Sequence, residues 1–163
     1  LQALDNLYLY DEDDAPDVGD AAIASDTPTL SSTGEDTSSL TTRTPPDESL
    51  LRYSVAESLE AKVPFLVTFA TPKYCTSRTC GPSVDVVEEA AQRFEDERVR
   101  FIHVEVYEGN DPAKGYNRWM QEWRLTTEPW TFVVGGDGRV VERFEGAVSV
   151  NELEESVRGV TGD

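Results

Sequence analysis

The sequence predicts an α/β fold in which helices flank a central mixed sheet, with an irregular N-terminal extension ahead of it. Residues 64–70 form a continuous apolar and β-branched run, as is typical of a strand that is buried on both faces. A helical repeat of apolar residues follows this run at Val84, Val87, Ala91 and Phe94. Strand and helix patterns then alternate to the C-terminus, which is the order expected of an α/β domain.

The composition indicates one acidic domain with a polar extension. The chain has 163 residues, of which 38% are hydrophobic, so it can bury one core while part of it lies outside that core. Its formal net charge of −18 repels nucleic acid and anionic membrane surfaces, and we expect neither as a partner. No apolar run is long enough for membrane insertion and no signal peptide is visible. Because the chain begins at Leu1, we expect that a preceding segment was removed.

Residues 1–53 are predicted to form the extension, and residues 54–163 the compact domain. The extension is rich in Asp, Ser, Thr and Pro. Within it, residues 7–10 are apolar enough for a short strand, or for a tag that docks on the core or on another subunit. Residues 30–49 are polar enough to be an irregular, mobile loop.

The compact domain opens with a capping-box pattern from Ser54 to Glu57, which predicts a short helix before the central strand. Farther along, residues 99–106 alternate as a second strand. This strand contains the only histidine, His103, which we expect to be a hydrogen-bonded core residue rather than a metal ligand or a base. A helix with proline in its first turn and several aromatic residues on one side is predicted over residues 111–123.

The last part of the chain is predicted to be a hairpin followed by a helix. The glycine-rich residues 135–138 favour a tight turn between strands at 130–134 and 139–144. A second capping-box pattern runs from Ser149 to Glu152, and it predicts a C-terminal helix with one apolar face.

The only two cysteines, Cys75 and Cys80, lie between the predicted central strand and the helix after it. Sheets of this class place their chemistry at such junctions, and the start of a helix stabilises a thiolate. Lys73 and Arg78 add positive charge beside the sulfurs, so we expect one thiol to be partly ionised near neutral pH. We predict that Cys75, nearer the strand, is the nucleophile and that Cys80 is its resolving partner.

The four residues between the cysteines restrict how a disulfide can form. In an intact helix, five positions rise about 7.5 Å and turn about 500°, which puts the two thiols on different sides. Either the helix begins at Pro82 and leaves both cysteines in a loop, or its first turn unwinds on oxidation. We favour the first arrangement.

The cysteine segment resembles the active-site segment of the thioredoxin superfamily, in particular that of TlpA/ResA-type thiol-disulfide oxidoreductases. The resemblance is carried by the buried strand, the cysteine-bearing turn and Pro82 soon after it. Those families have two residues between the cysteines, whereas this chain has four. The wider spacing is similar to that of atypical two-cysteine peroxiredoxins. An extra residue before Cys75, however, leaves no threonine three positions ahead of the sulfur.

Pro129 matches the proline that precedes the fourth strand in that superfamily. The resemblance implies that its peptide bond is cis and that it packs opposite Cys75. It also implies that the neighbouring backbone pairs with the extended peptide of the substrate, as an added strand would. Thr127 and Glu128 would then face the incoming disulfide, with Trp130 as their neighbour.

Three functions follow as expectations. The leading one is a thiol-disulfide oxidoreductase that uses Cys75 and Cys80 on protein or small-molecule disulfides, with a reductase or thiol donor as a second partner and no cofactor. The second is a thiol peroxidase in which Cys75 forms a sulfenic acid. The third is a non-catalytic binding module with a structural disulfide. The resemblance further implies an exported or membrane-tethered bacterial protein, and a copper site that includes His103 is a remote alternative.

Overall fold

The computed structural model describes residues 14–74 and 81–161. Within these two ranges, four strands form one mixed sheet in the order β2-β1-β3-β4. They are β1 (Phe65–Phe69), β2 (Arg100–Val104), β3 (Trp130–Val134) and β4 (Val140–Glu145). β1 is parallel to β2 and antiparallel to β3, and β3 is antiparallel to β4. The mixed sheet predicted from the sequence is therefore confirmed.

Helices pack on both faces of this sheet. The α-helices are α1 (Thr37–Leu40), α2 (Val55–Glu60), α3 (Gly81–Arg93), α4 (Arg118–Glu122) and α5 (Val150–Thr161), and short 3₁₀ helices span Ser31–Thr33, Glu48–Leu50, Glu108–Asn110 and Pro112–Lys114. Apolar side chains of α3 and α5 meet Leu66 of β1 in one buried cluster. Val55 of α2 and Trp123, which follows α4, join Phe65 in another. Because successive strand residues point to opposite faces, β1 contributes to both cores.

Every residue of β1 is buried, as its apolar run predicts. Phe69, the last residue of the strand, packs against Trp123 and Phe132, with ring centroids 5.4 and 6.2 Å away. Burying side chains of this size stabilises a fold by about 1.5–3 kcal/mol each. β1 is thus a firmly packed element from which the chain continues towards the cysteines.

The local signals for two helices and the hairpin are confirmed. Ser54 Oγ accepts the N–H of Glu57 at 3.0 Å, and Glu57 Oε2 accepts the N–H of Ser54 at 2.8 Å, which completes the capping box of α2. Ser149 and Glu152 make the same reciprocal pair at the start of α5. In the turn between β3 and β4, Gly138 has φ 83°, a conformation that favours glycine.

The single helix predicted over residues 111–123 is wrong. A 3₁₀ turn at Pro112–Lys114 is followed by Gly115 at φ 78° and ψ −176°, which is outside the helical region. The side chain of Asn117 then accepts the N–H of Met120 at 3.0 Å and starts α4 as a separate helix. The helical spacing of the apolar residues concealed this break, because the spacing does not record backbone conformation.

Residues 30–49, predicted to be an irregular loop, are irregular only in part, since they contain α1, the 3₁₀ turn Ser31–Thr33 and the start of the 3₁₀ turn Glu48–Leu50. Leu40 within this stretch and Leu50 directly after it are 3% and 1% exposed, so the polar stretch packs on the domain through apolar side chains. Residues 1–13, with the predicted apolar tag at 7–10, lie outside the described residues.

Candidate functional site

The predicted catalytic residues Cys75 and Cys80 lie outside the described residues, and so does Arg78. The structure describes the segments on either side of them. On one side β1 ends at Phe69 and the chain continues to Tyr74, and on the other side α3 follows. The site can therefore be built from these two ends and from the residues that pack beside them.

The end of β1 lies beside the Pro129 loop. Phe69 pairs with Trp130, the first residue of β3, and Thr68 Oγ1 donates to the Trp130 carbonyl at 3.4 Å. The Glu128–Pro129 peptide bond is cis, as the resemblance implies, and Pro129 is buried. The register of the sheet thus brings the segment that leads to the cysteines next to this proline.

Three tyrosines and Glu128 form a cluster beside Pro129. The rings of Tyr74 and Tyr107 meet edge to face at 6.3 Å, and Tyr107 stacks on Tyr116 at 5.5 Å. The hydroxyls of Tyr107 and Tyr116 both donate to the Glu128 carboxylate, the first at 3.5 Å. Burial, together with the charge and hydrogen bonds of Glu128, raises the pKa of both phenols above the ordinary value. Both hydroxyls therefore remain donors at neutral pH.

Thr127 and Trp130 are joined by a hydrogen bond. Trp130 Nε1 donates to Thr127 Oγ1 at 3.0 Å, and Thr127 Oγ1 donates to Glu145 Oε2 at 2.7 Å. The Trp130 ring is 5% exposed and lies nearly parallel to Phe132, 5.5 Å away. Thr127 is exposed and Glu128 is half-buried. Among the predicted substrate-binding residues, Trp130 therefore lies in the core, whereas Thr127 and Glu128 reach the surface.

Lys73, which we expect to stabilise a thiolate, is exposed, with Nζ 5.3 Å from the centroid of the Tyr74 ring. Its backbone N–H donates to Thr42 Oγ1 at 3.1 Å. The N–H and hydroxyl of Thr42 in turn donate to Glu105 Oε2, at 2.8 and 2.9 Å. Sequence reasoning missed both Thr42 and Glu105. The alternation of residues 99–106 puts Glu105 on the same strand face as buried residues, and that signal could have identified it.

His103 is a buried, hydrogen-bonded core residue, as the sequence predicts. It is 4% exposed, its Nε2 lies 2.9 Å from the Ala70 carbonyl, and its Nδ1 lies 3.5 Å from Thr41 Oγ1. Glu105 Oε2 is 3.6 Å from Nε2. The part of the chain that the structure describes contains no group of three or more His, Cys, Asp or Glu residues that could hold a metal ion.

Solved structures of thiol-disulfide exchange proteins share this architecture. The chain matches a Chlorobium tepidum protein assigned as the thiol:disulfide interchange protein DsbE with a TM-score of 0.60 and 14% identity, over 91% of this chain and 100% of that one. The fold is thioredoxin-like. MTB DsbF, solved in mixed oxidised and reduced forms, matches with a TM-score of 0.52 and 18% identity, over 67% of this chain and 87% of that one.

Comparisons with protein-family models and with curated proteins identify no relative of this chain. Among the described helices, none is both long enough and apolar enough to cross a membrane. The thioredoxin-like fold and the geometry around Pro129 are therefore the basis for a functional proposal.

Proposed function

We propose that this chain is a thiol-disulfide oxidoreductase. The Cys75 thiolate attacks one sulfur of a substrate disulfide and releases the other as a thiolate, which leaves a mixed disulfide. The Cys80 thiolate then attacks the Cys75 sulfur and releases the second substrate thiolate. The substrate gains two electrons, and the protein is left with a Cys75–Cys80 disulfide, which a thiol donor or reductase reduces again.

One observation carries this proposal: β1, the strand that precedes the cysteines in sequence, ends directly beside the cis Pro129 peptide. Phe69 pairs with Trp130, so only a few residues separate the paired end of β1 from Cys75. In α/β sheets, ligands bind outside the carboxyl ends of the parallel strands. The β1 end is such an end, because β1 and β2 are parallel.

The cluster of Tyr74, Tyr107, Tyr116 and Glu128, which we call the Glu128 cluster, is the proposed substrate-binding surface. Tyr74 directly precedes Cys75 and contacts Tyr107, which donates to Glu128. A peptide that pairs with the backbone beside Pro129 would lie against these rings, since strand addition provides backbone hydrogen bonds and neighbouring side chains provide selectivity. Thr127 and Glu128 then contact the substrate, and Trp130 supports them from the core.

Lys73 is proposed to assist the nucleophile through charge. It is an exposed cation two residues before Cys75 in a chain of net charge −18, where an unassisted thiolate would be disfavoured. We assign the same role to Arg78. Location outside the cytoplasm is part of the proposal, since a dithiol that exchanges with protein disulfides needs disulfide-containing partners.

Insulin reduction in the presence of dithiothreitol tests the proposed reaction. We expect the wild-type protein to accelerate precipitation of the insulin B chain, and Cys75→Ser to abolish that acceleration. In a separate incubation with insulin and no dithiothreitol, Cys80→Ser should instead accumulate a mixed disulfide between Cys75 and the substrate, which is visible by mass spectrometry. Peroxide consumption without insulin reduction would identify a peroxidase. A Cys75–Cys80 disulfide that resists dithiothreitol would identify a structural staple in a binding module.

A further inference from the structure

Two consecutive residues of the N-terminal extension contact the chain on either side of the cysteine segment. Thr42 Oγ1 accepts the backbone N–H of Lys73, two residues before Cys75, at 3.1 Å. Arg43 binds α3, the helix that follows Cys80. The extension therefore connects the two ends of the segment that carries the proposed chemistry.

Arg43 contacts α3 through two carboxylates. Its Nε lies 3.0 Å from Asp85 Oδ1, and its Nη1 lies 3.1 Å from Glu88 Oε2. Nη2 also donates to the other oxygen of Glu88 at 3.1 Å, which makes a forked pair. The Arg43 and Glu88 side chains are 17% and 26% exposed, so water screens this pair less than it screens ordinary surface ion pairs, whereas Asp85 is 62% exposed.

Glu105 anchors Thr42 from inside the domain. A hydroxyl has one proton, which Thr42 donates to Glu105 Oε2 at 2.9 Å, so its oxygen is left to accept the Lys73 N–H. The Thr42 N–H donates to the same Glu105 oxygen at 2.8 Å. Glu105 is 5% exposed, and its Oε1 has no partner among the described residues. Thr42 therefore donates both of the hydrogen bonds that Glu105 Oε2 accepts at 2.8 and 2.9 Å, with His103 Nε2 farther away at 3.6 Å.

We propose that Thr42, Arg43 and Glu105 form a strap that stabilises the Cys75–Cys80 disulfide. Holding the two ends of a loop removes part of the entropic cost of closing it, and so raises the effective concentration of one thiol at the other. The inference rests on the proposed function. The three strap residues are positioning residues, because they act through the borders of the cysteine segment.

The equilibrium with glutathione measures this effect. The protein dithiol loses two electrons and two protons to form its disulfide, while glutathione disulfide becomes two glutathione molecules. Thr42→Val keeps the side-chain shape without the hydroxyl, and we expect the equilibrium constant to fall about tenfold, or about 30 mV for a two-electron couple. Arg43→Gln should shift it in the same direction. Thr42→Ser should restore the wild-type constant, and Thr44→Val, at an exposed neighbour, should leave it unchanged.

Hydrogen exchange at the Lys73 amide tests the strap without redox chemistry. In a variant with both cysteines replaced by serine, we expect Thr42→Val to lower the protection of this amide about tenfold. Unchanged protection would overturn the strap itself. Lowered protection with an unchanged glutathione equilibrium would overturn its effect on the disulfide. If the disulfide depends on the strap but the protein does not reduce insulin, the strap is supported and the proposed oxidoreductase function is rejected. If the protein forms no Cys75–Cys80 disulfide, both the strap's effect and the proposed function are rejected.

Discussion

Removing the Tyr116 hydroxyl gives a direct test of the cluster beside Pro129. Tyr116 donates to the Glu128 carboxylate, and hydrogen bonds to charged groups contribute about 1.5–3 kcal/mol when they are well buried. Tyr116 is only half-buried, so solvent screening lowers the expected loss in Tyr116→Phe to about 1 kcal/mol. For a chain of this size, the midpoint of thermal unfolding should fall by about 2–4 °C.

The effect should depend on pH. Burial first, and then the hydrogen bond and charge of Glu128, raise the pKa of Tyr116 in the folded protein. Below about pH 10, the phenol is neutral in both the folded and the unfolded chain, and the stabilisation is complete. Above that pH the unfolded chain loses this proton while the folded protein keeps it. The advantage of the wild type over Tyr116→Phe should therefore shrink as the pH rises past about 10.

Tyr107→Phe is the matched control, because it removes the second hydroxyl bound to the same carboxylate. At 3.5 Å its hydrogen bond is at the limit of a useful interaction, so the loss should be smaller than for Tyr116. Urea unfolding of the two variants and the wild type, at neutral and alkaline pH, gives the comparison. Equal losses for the two variants, or a Tyr116 effect that does not change between neutral and alkaline pH, would refute the reasoning.

Three further substitutions test other contacts. Ser54→Ala removes the cap of α2 and should cost about 1 kcal/mol in urea unfolding, whereas an unchanged midpoint would contradict the capping box. Ser25→Ala leaves the buried Trp123 indole N–H and Glu122 without their hydroxyl partner, and should cost about 1–3 kcal/mol by the same assay with tryptophan fluorescence. Hydrogen bonds from Arg158 and Arg93 lower the pKa of Glu154 below its ordinary value, so the folded chain holds this carboxylate ionised more strongly than the unfolded chain does. The wild type should therefore lose more stability than Glu154→Gln as the pH falls into the acidic range, and equal losses for the two proteins in acid titrations of unfolding would contradict this.

The sequence could predict the parts of the fold that depend on a periodic pattern of apolar residues or on contacts between residues close together in the chain. The buried strand β1 shows in a continuous apolar run, and the starts of α2 and α5 show in short capping patterns that act within four residues. Pro129 was identifiable because its segment, with a proline directly before an apolar strand, resembles the one before the fourth strand in the thioredoxin superfamily. Each of these features depends on neighbours in sequence, so the sequence alone carries the information.

The contacts that define the site depend on residues far apart in sequence. Thr42 and Glu105 are 63 positions apart, and neither lies in a sequence motif that predicts a contact with the other. Tyr107 and Tyr116 stack because the chain between them turns through Gly115, which has a backbone conformation that ends the predicted helix. Hydrophobic periodicity records which side of an element is buried, but it does not record which polar groups meet across two elements.

The hydrogen bonds of the extension indicate that low hydrophobicity does not make a segment separate from the domain. Val55 donates its N–H to Thr27 Oγ1 at 3.1 Å, and Ala56 donates to the Ser25 carbonyl at 2.9 Å. These are first-turn donors of α2, which no residue inside the helix can satisfy. A domain that began at Ser54 would lack these two acceptors. We therefore propose that the described part of the extension folds together with the domain, and that it contributes hydrogen-bond acceptors as well as apolar side chains such as Leu40 and Leu50.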